Sequence, residues 1–401
     1  MTFPIEFVIF ALTLAGVAVF HRRALVVTSA GLIATLAYEG LVTTFPGGEG
    51  LAGLTGHFAH EWVILANLFL LLTGFETLSS HFEKSGLPDF APRILPDNWT
   101  AGWVLLGIIF LSSAVIDNIA AAVIGAVVAR HVFQGRVSIA YLAAIVGCAN
   151  AGGAGSVIGD TTTTMMWLGG VSPLHVLGAF LGAGVAFTIM GYFASRAQAR
   201  FSPPLLHSPP DLKIDWTRLA IVVFALVSLV TANVVVNSVF AGVEESVPVL
   251  GLAMWAALLA AALFRQPDWS ATWHAAKGAL FLVMLVATAS LMPLEALPEP
   301  TWVTTLGLGF LSAVFDNIPL TALALQQGGY DWAILAFAVG FGGTMTWFGS
   351  SAGVAVSNLF PESRSLVQWV RQAWFVPVAY LAGFFVMLAV FGWVVQPGGG
   401  G

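Results

Sequence analysis

Long apolar stretches separated by short polar ones run through the whole chain. They reach roughly the 20 residues that an α-helix needs to cross the hydrocarbon core of a bilayer. Segments such as "ALVVTSAGLIATLAYEGLV" are apolar on all faces rather than at alternate positions, so they predict helices and not the strands of a β-barrel. The pattern places membrane-spanning helices at about residues 5–20, 24–44, 60–80, 174–195, 216–240, 247–264, 273–294 and 372–395.

The composition supports this interpretation. Of the 401 residues, 58% are hydrophobic and only 8% are charged, whereas soluble domains contain about 25% charged residues. An open sheet is excluded because lipid offers no partners to the amides at a sheet edge. The single cysteine, Cys148, excludes disulfides within the chain and supplies no metal motif. We therefore predict an all-α polytopic membrane protein.

Two longer blocks, 101–171 and 301–361, carry a repeated polar motif. The stretches "SAVIDNIAAA" (113–122) and "SAVFDNIPLT" (312–321) are identical at six of their first seven positions. Each places an Asp-Asn pair, at 117–118 and at 316–317, inside otherwise apolar sequence. We predict that each pair is the tip of a re-entrant hairpin, and that the two hairpins enter the membrane from opposite faces.

The distribution of basic residues supports the hairpins. With both hairpins drawn, all 14 Lys and Arg residues fall on one face: Arg22, Arg23, Lys84, Arg93, Arg130, Arg136, Arg196, Arg200, Lys213, Arg218, Arg265, Lys277, Arg364 and Arg371. The positive-inside rule makes that face cytoplasmic. The sequence then predicts about ten spans, two re-entrant hairpins, an inner-membrane location and both termini in the periplasm.

The order of elements is the same in two parts of the chain but with opposite orientation. Such inverted repeats with broken helices are the architecture of secondary transporters, whose sites lie near the midplane between the repeats. The predicted organisation is an N-terminal two-helix segment (1–59), a first repeat (60–198), a cytoplasmic linker (199–215), connecting helices (216–272) and a second repeat (273–401).

A glycine-rich interruption follows each hairpin. The first is "CANAGGAGSVIGDTTTTMMW" (148–167), and the second is "GFGGTMTWFGSSAG" (340–353). Each glycine weakens a helix by up to about 1 kcal/mol, so we predict unwound segments at 152–160 and 340–350. Unwound backbone at membrane depth is tolerated only where protein or a wet cavity satisfies it. Its carbonyl groups are then available as cation ligands.

Three carboxylates belong to this layer: Asp117, Asp160 and Asp316. A charge at the centre of a bilayer costs at least ~2.5 kcal/mol, and intramembrane acids are candidates for ion or proton sites. The structural alternative is helix capping, because Asp is a good N-cap and both Asp-Asn pairs precede a returning helix. Asn or Ser would cap equally well without the cost of ionisation, which favours a functional role for the acids.

Further polar residues near the tips and interruptions are candidate cation and proton ligands: Asn118, Asn150, Ser156, Thr161, Thr162, Asn317, Ser350 and Ser351. Glu76 lies near the end of a predicted span, where it either joins a proton path or reaches the membrane surface. Carboxylate, hydroxyl and carbonyl oxygens suit a hard cation. Without the cation, clustered acids at low dielectric hold protons more tightly, so proton and Na⁺ would compete for Asp117 and Asp160.

The motifs "SAVIDNIAAA", "ANAGGAGSVIGDTTTTMMW", "SAVFDNIPL" and "GSSAGVA" resemble those of the ion transporter superfamily, and most of all its NhaD-type sodium/proton antiporters. The resemblance covers most of 60–200 and 300–360. It implies that Asp117, Asn118, Asp160 and Thr162 match polar positions that matter for transport, with Asp316 and Asn317 as their second-half counterparts.

The sequence thus predicts a secondary transporter that exchanges Na⁺ for H⁺. The alternative is a cation-coupled transporter of a small anion such as citrate, another carboxylate or bicarbonate. No Walker-type phosphate loop supports ATP-driven transport, and no Ser–His or metal pair at membrane depth supports a hydrolase. We expect no cofactor, and we expect the lipid bilayer and small ions, not nucleic acid, as partners. Whether the chain forms a homodimer is left open.

Overall fold

The computed structural model describes residues 4–20, 23–45, 48–87, 95–204, 213–239, 246–293, 297–315 and 317–398. Three residues from the sequence predictions, Asp316, Arg22 and Arg93, lie outside these ranges. Apart from an isolated bridge between Phe45 and Gly48, the described secondary structure is helical. The predicted all-α fold class is confirmed.

The chain divides into two compact units. The first comprises 1–81, 216–298 and 322–327, and the second comprises 82–215, 299–321 and 328–401. In chain order the α-helices are α1 (Ile5–Val19), α2 (Ala24–Leu41), α3 (Gly50–Glu83), α4 (Thr100–Ser113), α5 (Asn118–Val132), α6 (Ile139–Ala154), α7 (Thr161–Leu168), α8 (Pro173–Val176), α9 (Ala179–Phe201), α10 (Trp216–Val239), α11 (Val249–Ala261), α12 (Trp269–Ala289), α13 (Trp302–Ser312), α14 (Asn317–Gln327), α15 (Trp332–Gly342), α16 (Ser351–Leu359), α17 (Leu366–Gln372) and α18 (Phe375–Phe391).

Many large apolar side chains are exposed on the described helices, as expected of helices that face lipid. Large side chains such as Leu12, Ile33 and Val26 are about two-thirds exposed. Among the described residues, four helical stretches are long and apolar enough to cross a membrane: Ala24–Leu41, Glu61–Glu83, Pro173–Phe201 and Trp269–Ala289. The number becomes five if the bent pair α17–α18 is one span. The total of ten spans stays a prediction.

Within the first unit, helix α3 is held to its neighbours by polar contacts spaced along its length. Asn67 accepts a hydrogen bond from the backbone N–H of Gly251 on α11 (2.9 Å), and His57 lies 2.9 Å from the Ser290 hydroxyl. The helix begins at Gly50, ten residues before the predicted span at 60–80. The buried His57 contact belongs to this extra N-terminal part.

Within the second unit, α4 and α5 form a helical hairpin. Ile109 and Gly125 lie eight residues on either side of Asp117, and in one straight helix they would be about 24 Å apart. Instead the side chain of Ile109 packs directly over the α-carbon of Gly125. The chain therefore reverses direction at 114–117, close to the predicted tip. How this hairpin sits in a bilayer remains a prediction.

Both predicted interruptions are breaks between helices of the second unit. The first separates α6 from α7 at 155–160, and both breaks begin later than predicted because residues 152–154 and 340–342 are still helical. The second begins with a short 3-10 helix, Gly343–Met345, and continues to Ser350, where α16 follows. Helix α6 is buried along its whole length, as is α15. The breaks thus lie beside buried helices, and their own residues are buried except for 156–158 and 347–348, which are half-buried.

Candidate functional site

Two carboxylates begin helices at neighbouring points of the second unit. Asp117 is the N-cap of α5 and accepts a hydrogen bond from the N–H of Ile119 (3.0 Å). Asp160 is the N-cap of α7 and accepts one from the N–H of Thr162 (3.1 Å). Asp160 is only 1% exposed, and Gly159, which precedes it, lies against the Ser113 carbonyl at the end of α4. Both acids therefore cap helices, and the two caps lie near each other.

The four threonines after Asp160 divide into two kinds. The hydroxyl of Thr163 donates to the carbonyls of Ser156 and Asp160 (2.5 and 2.9 Å). The hydroxyl of Thr164 donates to the carbonyls of Val157 and Asp160 (2.8 and 3.0 Å). These two side chains therefore hold the unwound segment by satisfying its backbone.

Thr161 and Thr162 do not have that structural role. Thr161 is the first residue of α7 and is 8% exposed. Thr162 is fully buried, and its hydroxyl oxygen has no hydrogen-bond partner among the residues that the structure describes. A buried polar group without a partner costs about 1–3 kcal/mol. The hydroxyl of Thr162 is thus available to a ligand, whereas those of Thr163 and Thr164 are committed to the backbone.

Asn150 connects the first hairpin to the second break. Its Oδ1 accepts a hydrogen bond from the amide of Asn118 at the hairpin tip (3.2 Å). Its Nδ2 lies 3.0 Å from the hydroxyl of Thr344 and 3.1 Å from that of Ser350. Three of the predicted residues therefore lie in one buried network: Asn118, Asn150 and Ser350. Thr344 also belongs to this network.

The second half supplies the remaining predicted residues. Ser350 is the N-cap of α16 and accepts from the N–H of Gly353 (3.2 Å). Ser351 begins that helix and is half-buried. Asn317 begins α14 and is 4% exposed. Asp316, which precedes it, lies outside the described residues.

The two breaks are built in the same way. Residues 190 positions apart correspond: Gly153 packs against the Gly159 carbonyl and the Asp160 β-carbon, and Gly343 packs against the Gly349 carbonyl and the Ser350 β-carbon. The serines of the two hairpin motifs also match, since Ser113 donates to the Ala149 carbonyl (2.6 Å) and Ser312 to the Val339 carbonyl (2.8 Å). Equivalent contacts of this kind indicate two copies of one structural unit.

Two predicted residues have other surroundings. Glu76 is in the first compact unit, whereas the aspartates are in the second. The hydroxyl of Ser156 accepts from the N–H of Ile158 (3.3 Å), a local turn contact within the break. Sequence reasoning missed Thr344, whose only signal was its place in a glycine-rich interruption. Across the described ranges, no group of three or more His, Cys, Asp and Glu side chains is arranged to hold a metal ion.

These features define a class: a polytopic helical membrane protein whose helices break in pairs around a buried polar centre. No protein-family model matches the chain. Sequence comparison finds relatives that are named antiporters. Sodium/proton antiporter 1 of Arabidopsis thaliana is 26% identical over 324 residues, which are 72% of this chain and 55% of the relative.

Two bacterial relatives are similar to the same degree. The Na⁺/H⁺ antiporter NhaD of Vibrio cholerae is 25% identical over 311 residues, covering 64% of this chain and 62% of the relative. NhaD of Alkalimonas amylolytica is 26% identical over 348 residues, covering 73% and 69%. The aligned part thus spans between about half and two-thirds of these relatives. The predicted resemblance is confirmed: this chain is similar in sequence to NhaD-type sodium/proton antiporters.

A solved structure also aligns with the chain. The crystal structure of the YdaH transporter of Alcanivorax borkumensis aligns over 93% of this chain and 99% of its own, with a TM-score of 0.42 and 15% identity. The fold described above stands on the helices and contacts of this chain and not on that alignment.

Proposed function

We propose that this protein is a secondary active transporter of the inner membrane that exchanges Na⁺ for H⁺. The observation that carries the proposal is the pair Asp117 and Asp160, two acidic N-caps at neighbouring points, where Gly159 lies against the Ser113 carbonyl. The antiporter names of its relatives support the same function.

The chemistry of the pair explains how exchange would proceed. Two carboxylates at low dielectric cannot both be ionised cheaply, so one is neutralised by a proton or both are compensated by a cation. Na⁺ prefers hard oxygen ligands, which the carboxylates and the hydroxyl of Thr162 offer. Binding of Na⁺ displaces the proton, and binding of a proton displaces Na⁺. This competition couples the two ions.

Movement between the two sides of the membrane requires a second element. In transporters built from repeats, one repeat or bundle moves against the other around a fixed site. The hydrogen bonds from Asn150 to Thr344 and Ser350 join the two halves at the site. We propose that these bonds keep the site assembled while access changes.

Sodium-dependent proton movement in everted membrane vesicles tests the proposal. Wild-type vesicles should lose a preformed pH gradient when NaCl is added, and Asp117→Asn and Asp160→Asn should abolish this response. Asp331→Asn is the matched control, because Asp331 is also a buried N-cap, of α15, and accepts from the N–H groups of Ile334 and Val394. This variant should retain exchange.

Two outcomes would contradict the proposal. Exchange that persists in both Asp117→Asn and Asp160→Asn would remove the site as described. Sodium-dependent uptake of labelled citrate or bicarbonate, without Na⁺/H⁺ exchange, would make Na⁺ a coupling ion for an anion instead.

The sidedness of the chain is part of the proposal. The basic residues are proposed to face the cytoplasm and both termini the periplasm. Arg130 is exposed at the end of α5, and the single native cysteine, Cys148, is fully buried. An Arg130→Cys variant should therefore react with a membrane-impermeant thiol reagent in everted vesicles and not in intact cells. Labelling from outside would contradict this topology.

A further inference from the structure

The buried C-terminal parts of α6 and α15 each contact the break of the other half. The contacts are equivalent in position, but the side chains that make them differ. By the 190-residue correspondence, Asn150 matches Gly340, Ala154 matches Thr344, and Asp160 matches Ser350. Asn150 on α6 contacts Thr344 and Ser350. A β-carbon built on Gly340 of α15 would meet the matching residues on the other side, Ala154 at 3.5 Å and Asp160 Oδ2 at 3.0 Å. Such reciprocity is what an approximate two-fold axis produces.

The two equivalent places are occupied differently. On one side the amide of Asn150 donates hydrogen bonds to two hydroxyl oxygens. On the other side Gly340 has no side chain, and the oxygens around its position belong to Asp160 and Thr162, whose hydroxyl lies 3.8 Å from the built β-carbon. That hydroxyl is fully buried and has no hydrogen-bond partner within the described part of the chain. A donor fills one place, and acceptor oxygens surround the other.

We infer that the two halves hold one cation site and not two: a cation binds beside Gly340, between Asp160 and Thr162, while the Asn150 amide takes the equivalent place in the other half. The amide hydrogens carry partial positive charge and satisfy Thr344 and Ser350 as a cation would. Gly340 is thus a specificity-determining residue, because any side chain there would fill the cation's place. The inference rests on the proposed function, and it adds the position and the number of the ions.

The asparagines of the two hairpin tips extend this difference between the two halves. Asn118 donates to Asn150 Oδ1 (3.2 Å). Its counterpart by the hairpin motif is Asn317, which is buried in the second half. Gly340 offers Asn317 no side-chain oxygen, so the correspondence assigns the Asn317 amide to the cation side. There its carbonyl oxygen would be a further hard ligand.

Sodium binding to the purified full-length protein, measured by titration calorimetry with KCl as the ionic control, tests the inference. Wild type should bind one Na⁺ per chain. Gly340→Ala should weaken binding by tenfold or more, about 1.4 kcal/mol, because its methyl group would contact the Asp160 carboxylate. Gly307→Ala is the matched control: it is also a helical glycine, in α13, with nothing within 4 Å of the added carbon, and it should bind Na⁺ as wild type does.

A second variant keeps the test valid if Gly340→Ala does not fold. Thr162→Val removes only a hydroxyl that has no hydrogen-bond partner in the described ranges, so it should keep the thermal midpoint and still weaken Na⁺ binding by about tenfold. A stoichiometry of two, or unchanged Na⁺ affinity in both Gly340→Ala and Thr162→Val, would overturn the inference while the antiporter proposal stands. Wild-type protein that binds no Na⁺ would instead overturn the proposed function itself.

Discussion

The two helix breaks of the second unit perform the same structural task with different side chains. Asp160 caps α7 by accepting from the N–H of Thr162 (3.1 Å), and Ser350 caps α16 by accepting from the N–H of Gly353 (3.2 Å). Both caps are 1% exposed. The second break shows that a neutral hydroxyl is sufficient for this geometry. The charge of Asp160 therefore exceeds what the fold requires.

This difference bears directly on the choice between capping and function. Asp160 does cap a helix, as the structural alternative predicted, and a carboxylate is more than this cap requires. A buried charge at membrane depth costs at least ~2.5 kcal/mol. Since Ser could fill the structural role at lower cost, we propose that the carboxylate serves a ligand.

The largest expected effect comes from making the first break like the second. Asp160→Ser keeps a capping oxygen but removes the charge, so Na⁺-dependent proton movement in vesicles should fall to background while the thermal midpoint is kept or rises. The control is a conservative change at the other break: Ser350→Thr keeps a hydroxyl cap and should retain exchange. Normal exchange by Asp160→Ser would mean that the two breaks are functionally equivalent after all.

A large effect on stability is expected at Asn150, which joins the two breaks. Asn150→Ala would leave the polar groups of Asn118, Thr344 and Ser350 without this partner, and the free energy of unfolding should fall by about 3 kcal/mol. Denaturant unfolding of the purified protein measures the change. A loss below that of a single exposed hydrogen bond, such as the one that Asn98→Ala would remove from the N–H of Thr100, would show that the network contributes little.

An intermediate effect separates structural threonines from the proposed ligand. Thr164→Val would leave the carbonyls of Val157 and Asp160 without the Thr164 hydroxyl, so the free energy of unfolding should fall by about 1.5 kcal/mol. Sodium affinity of the folded fraction should change little. In Thr162→Val, by contrast, the free energy of unfolding should change little and the sodium affinity should fall. If both variants behave alike in thermal unfolding and Na⁺ titration, the division of the threonines is wrong.

The smallest expected effect is at the neutral cap. Ser350→Ala should lower the free energy of unfolding by about 1 kcal/mol, the usual value of an N-cap, and should leave Na⁺/H⁺ exchange measurable. Complete loss of exchange in a folded Ser350→Ala protein would indicate that the second break also binds the transported ion.

Much of the fold followed from the sequence because its signals are local. Apolar runs predicted most of the helices, glycine interruptions predicted both breaks, and the Asp-Asn pair at 117–118 indicated a reversal that the structure places at 114–117, since these signals act within a few residues. The start of α3 at Gly50 was not predicted. Its first turns contain three glycines and a histidine, and the hydrogen bond of His57 to Ser290 is a tertiary contact that no local pattern shows.

The candidate site likewise has a part that the sequence predicted and a part that it did not. Asp117 and Asp160 were conspicuous because charge is rare in an apolar chain. The roles of Thr163 and Thr164 as backbone partners, and of Thr162 as a buried hydroxyl, depend on which way each side chain points around a break. The proposed role of Gly340 depends on its position equivalent to Asn150 in the other half. A missing side chain gives no such signal in a single sequence.

The central claim is that one set of carboxylates holds Na⁺ and protons in competition. Proton release on addition of NaCl to purified protein, in weakly buffered detergent solution near neutral pH, tests it most directly. Wild type should release protons saturably with NaCl and not with KCl, and Asp117→Asn and Asp160→Asn should release none. Binding of Na⁺ by wild type with no release of protons would contradict the claim.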